Sequence, residues 1–95
     1  MSNIVENDLL ALLVDYCAIV QRRAAQCLRF GPHSVQGGQS LTHSMRLSSE
    51  IGELDRLISV AEEQGLLHVD IVDSSSEGKA RYFEKLLANL RAGAA

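Results

Sequence analysis

The chain has 95 residues, 46% of them apolar and 22% charged, with 9 basic and 12 acidic side chains and a formal net charge of −3. This length bounds it to one domain, 1–95, and the composition excludes a disordered tail. The acidic balance lacks the basic footprint of a nucleic-acid binder, so no nucleic acid is expected as a partner.

A single proline leaves room for long helices. Cys17 and Cys27 fall ten residues apart in one helical pattern, about 15 Å of rise, too far to bridge each other. They read as buried free thiols. The apolar run from Leu9 to Val20 is broken by Asp15 and is too short to cross a bilayer. No leader pattern opens the chain. A cytoplasmic location with no membrane partner is therefore the expectation.

The first helix is expected over about 4–28. Asn3 and Glu6 have the spacing of a capping box, and Gly31-Pro32 stops the helix. Its stripe is Val5, Leu9, Leu13, Tyr16, Val20 and Cys27. Leu10, Val14, Cys17 and Ala18 widen that stripe almost all round. A helix apolar on most sides must be covered on most sides, which points to self-association. Gly31–Gln39 reads as a loop.

A second helix is expected over about 41–64, starting near Ser40 or Thr42 and stopped by Gly65. Its stripe is Leu47, Ile51, Leu54, Ile58 and Ala61. Gly52 inside it suggests a close helix–helix approach. Residues 66–72 alternate like a short strand without a partner, and read as an extended connection that plugs the bottom of the core. Ser74 and Glu77 have capping-box spacing, so the third helix is expected over about 76–91, with Ala80, Phe83, Leu86, Leu87 and Leu90 on its apolar face. The sum is an all-α, three-helix antiparallel bundle with two long helices, assembled as an oligomer.

No phosphate-loop, dinucleotide, nucleophile-elbow or cysteine-knuckle motif is present. On the second helix His43, Arg46, Glu50 and Glu53 fall within about an 80° arc beside the apolar stripe. Glu50 and Glu53, three apart, can reach one hard cation such as Mg²⁺. Alternatively Arg46, four residues before Glu50, forms an ordinary ion pair with it. Asp15 interrupts an apolar segment. It either faces an ion or basic group on a neighbouring helix or sits on a wet edge beside Arg22 and Gln26. Arg22, Arg23 and Arg29 either complement the helix dipole or hold phosphate oxygens.

Gln26-Cys27-Leu28-Arg29-Phe30-Gly31, a glycine-bearing loop and Arg46-Leu47-Ser48-Ser49-Glu50-Ile51-Gly52-Glu53-Leu54 together resemble small MazG-like proteins, including those common in phages. These are similar to the all-helical nucleoside triphosphate pyrophosphohydrolases. In that family Glu-Glu-x-x-Glu on one helix and Glu-x-x-Asp on the next hold Mg²⁺ over a nucleoside triphosphate, which water splits to monophosphate and pyrophosphate. Its members are typically dimers or tetramers.

The resemblance spans about Asp15–Leu67. It implies a catalytic role for Glu50 and Glu53, metal ligation by Asp15, Glu50 and Glu53, and phosphate contacts from Arg22, Arg29 or Arg46. The chain departs from the first acidic motif, since Tyr16 and Ile19 stand where acids would. Fewer anionic ligands leave an Mg²⁺ pair short of charge compensation. The alternative is a non-catalytic helical oligomer serving as a protein-interaction module. Convergence of Asp15, Glu50 and Glu53 favours the first reading, and a carboxylate already paired with arginine favours the second.

Overall fold

The computed structural model describes the backbone of residues 2–94 and the side chains of residues 5–94. The expected cap at Asn3 lies outside the described side chains. The protein is all-α, a bundle of three helices: α1 (Ser2–Phe30), α2 (His43–Glu63) and α3 (Val69–Ala94).

Helices α1 and α2 form an antiparallel pair. The Phe30 ring stacks on His43, and Arg23 bonds to Glu50. Seven residues back along α1 thus match seven forward along α2. The seam repeats at helical spacing, with Leu9 buried and Leu13, Tyr16, Val20 and Cys27 half-buried on α1. Facing them on α2 are Leu47, Leu54 and Ile58, half-buried, and Ala61, fully buried. These are the positions the apolar periodicity predicts, with two exceptions. Ile51 is exposed, and the half-buried Glu50 takes the seam position beside it. Cys17, expected to be buried, is exposed, and both cysteines are free thiols.

The turn chemistry follows the sequence closely. Gly31 takes φ +93°, and its N–H donates to the Cys27 carbonyl. Pro32 then blocks further helix. The connecting loop folds back on itself: Val35 and Thr42 form an antiparallel bridge, and the Ser34 carbonyl accepts from the His43 N–H. Thr42 is the N-cap of α2, its Oγ1 accepting from the Met45 N–H at 3.1 Å. Gly65, at φ +76°, closes α2. Its N–H donates to the Glu62 carbonyl and that of Leu66 to the Ala61 carbonyl, the paired bonds of a Schellman end.

The largest correction concerns the third helix. Residues 69–72 are helical rather than extended, and α3 runs 26 residues instead of starting near 76. The Ile71 and Val72 N–H groups both donate to the His68 carbonyl, so the helix starts one turn after Gly65. Ser74 does not cap it: its Oγ donates to the Ile71 carbonyl within the helix. The alternation of Leu67, Val69 and Ile71 had no partner strand to act on. Once the Schellman turn has redirected the chain, helical hydrogen bonding is the remaining way to satisfy the backbone.

Nor does α3 close the bundle. It contains no buried residue, and every side chain from Val69 to Ala94 is exposed. Its stripe of Val69, Val72, Phe83, Leu86, Leu87 and Leu90 is open. The chain is accordingly flat and extended, 53 × 39 × 15 Å with a radius of gyration of 16.8 Å, against about 12 Å for a compact domain of this length. It exposes 7398 Å², against about 5,400 Å² for a compact chain of its mass.

Gly52 was expected to mark a close helix contact. It is exposed, and nothing lies within 4 Å of where a Cβ would stand. Gly52→Ala should therefore raise stability by about 0.5–1 kcal/mol through helix propensity alone. Urea midpoints at fixed protein concentration check this. A lower midpoint would mean that another chain occupies the space.

Candidate functional site

The polar centre of the molecule lies in the α1–α2 seam. Arg23 Nε donates to Glu50 Oε1 at 3.0 Å and Nη2 to Oε2 at 3.2 Å. This is a two-pronged guanidinium–carboxylate pair. Its Nη1 also donates to Gln26 Oε1 at 2.6 Å. The two ionic side chains are 12% and 17% exposed. Bonding to the Glu50 carboxylate raises the Arg23 pKa further above its ordinary value, with burial opposing. Arg23 therefore stays charged wherever the protein is folded.

This pair corrects the expected Arg46–Glu50 contact. Arg46 instead donates through Nη1 to Gln36 Oε1 at 3.0 Å. Arg23 had been grouped with the basic end of α1, but the spacing Tyr16, Val20, Arg23, Cys27 continues the buried stripe. That continuation was the available signal for a seam arginine.

The remaining expected site residues are dispersed. Asp15 and Arg22 lie two turns apart along an open groove on α1 that also includes Ile19 and Ala25. Glu53 is exposed on α2. Arg29 is exposed and its guanidinium lies over the Phe30 ring, 5.0 Å from the centroid. Among the described residues no three His, Cys, Asp or Glu side chains come together to hold a metal ion. Both Glu50 oxygens already accept from Arg23. The donors of one chain therefore do not make an Mg²⁺ site by themselves.

A second concavity was not foreseen. Where α1 ends and α2 begins, Gln26, Phe30, Ser34, Val35, Gln36, Gly37 and His43 line a cleft of about 410 Å³. That volume is in the range of small-molecule sites. His43 is 3% exposed and its Nδ1 has no hydrogen-bond partner. The imidazole stacks on Phe30 with centroids 5.8 Å apart and planes at 20°. Sequence reasoning placed His43 on the polar arc of α2. The loop's return through the Val35–Thr42 bridge, which buries it, had no signature in apolar spacing.

Among the described residues no helix is long and apolar enough to cross a membrane. No family model matches the sequence, and searches of curated proteins and of solved structures gave no match.

Proposed function

We propose that the chain is one subunit of a helical homo-oligomer, a dimer or tetramer, related to the MazG-like nucleoside triphosphate pyrophosphohydrolases. In this reading Mg²⁺-dependent cleavage of a nucleoside triphosphate to monophosphate and pyrophosphate takes place only in the assembled form. The observation that carries the oligomer is the uncovered apolar surface. The exposed area exceeds that of a compact chain by about 2,000 Å², what one protomer of an obligate dimer buries. The first half of α3, Val-Asp-Ile-Val-Asp-Ser-Ser-Ser-Glu-Gly, has poor intrinsic helix propensity. Such a helix needs tertiary cover. The enzymatic part rests on the MazG-like resemblance of Arg46–Leu54 and on the open Asp15 and Glu53 carboxylates, which a second chain can complement.

One observation favours the second reading, a non-catalytic oligomer acting as a protein-interaction module. Arg23 already neutralises Glu50, as a purely structural seam pair would. Incubation with a panel of nucleoside triphosphates and Mg²⁺, with pyrophosphate as the readout, separates the two. The first reading expects release that needs Mg²⁺ and falls at least about 100-fold in Glu50→Gln. A flat panel from an assembled protein leaves the non-catalytic reading.

A further inference from the structure

We infer that the cleft between the end of α1 and the start of α2 binds the base of a nucleotide, and that it selects bases bearing ring carbonyls. The inference deepens the nucleotide reading above and rests on it for the identity of the ligand. The cleft's chemistry is built from its own residues.

Two glutamines set the polarity. Gln26 Oε1 accepts from Arg23, and Gln36 Oε1 accepts from Arg46. A guanidinium has donors only, so each carboxamide must turn its oxygen to the arginine and keep its NH₂ on the other side. Among the described residues neither NH₂ has an acceptor. Two oriented donors thus border a cleft that also contains the Phe30 ring and the buried His43 with its unpartnered Nδ1. The Ser34 hydroxyl proton is committed to the Gly31 carbonyl at 2.8 Å. An aromatic face with flanking donors suits a flat heterocycle that stacks and presents acceptors. Uracil offers carbonyl oxygens to both donors. Cytosine turns an amino group towards one of them, leaving two donors opposed.

The test uses the full-length protein with uridine and cytidine 5′-monophosphates, without Mg²⁺, so that binding is read apart from hydrolysis. Titration calorimetry should give a preference for the uridine nucleotide of about tenfold. Gln36→Glu keeps an oxygen for Arg46 and replaces the free donor by an acceptor. It should reverse the preference towards cytidine, with helical ellipticity unchanged. Phe30→Leu should weaken both nucleotides alike. Equal binding of the two, absence of binding, or a preference indifferent to Gln36→Glu overturns the inference. Uridine binding without triphosphate cleavage would overturn the hydrolase reading and leave the cleft assignment standing. Cleavage whose base preference ignores Gln36 would do the reverse.

Discussion

Arg23→Ala is expected to destabilise the protein by about 2–4 kcal/mol, the largest loss from any single polar side chain. It leaves the Glu50 carboxylate in a half-buried seam without the two donors that compensate its desolvation. The neighbouring Leu47 and Leu54 cannot replace them, and the Gln26 oxygen loses its donor as well. Replacing both partners has a different outcome. Arg23→Leu with Glu50→Leu continues the apolar stripes of Leu13–Val20 and Leu47–Leu54 through the same position. It should return stability to within about 1 kcal/mol of the parent. Urea unfolding followed by ellipticity, at one protomer concentration, measures both. If the single variant unfolds at the parent's midpoint, the pair contributes nothing to the seam. A double variant that remains stable but packs in more than one register would identify the pair as a register device.

Leu87→Asp is the second large effect, and it acts between chains. Leu87 is 48% exposed in the isolated subunit, so within one chain the change costs only about 0.5 kcal/mol or less. Buried against a second copy, an unpaired aspartate weakens association by at least about 100-fold. Sedimentation or light scattering at micromolar concentration should show the assembled mass for the parent and a smaller mass for the variant. Lys85 lies on the opposite side of α3 from Phe83, Leu86 and Leu90 at 100° per residue. Lys85→Asp should therefore leave the mass unchanged. A parent protein that sediments as a monomer would remove the basis for assembly through this face.

The elements that were legible in the sequence are those fixed by local chemistry. Gly31-Pro32 and Gly65 each need a backbone conformation that few residues supply, and both stop a helix where expected. The stripes of α1 and α2 were readable because a two-helix seam selects apolar residues at a fixed spacing. What was misread depends on partners far along the chain. The alternation in 66–72 has a strand's period, but a strand needs a neighbour, and the Gly65 turn delivers the chain into α3 instead. Arg23 looked like a dipole-complementing end residue until Glu50, 27 positions away, met it across the seam. The expected third layer of the bundle was inferred from the apolar face of α3. That face exists, but periodicity identifies a surface that wants cover without saying which chain supplies it.

A helix that draws no burial from its own chain also changes how folding proceeds in time. The α1–α2 hairpin makes local contacts and can form by itself. Consolidation of α3 through a second copy would wait on a collision, so its rate would rise with chain concentration while that of the hairpin would not. Dilute, newly made chains would then linger with a frayed C-terminal third open to proteases, and crowded ones would escape it.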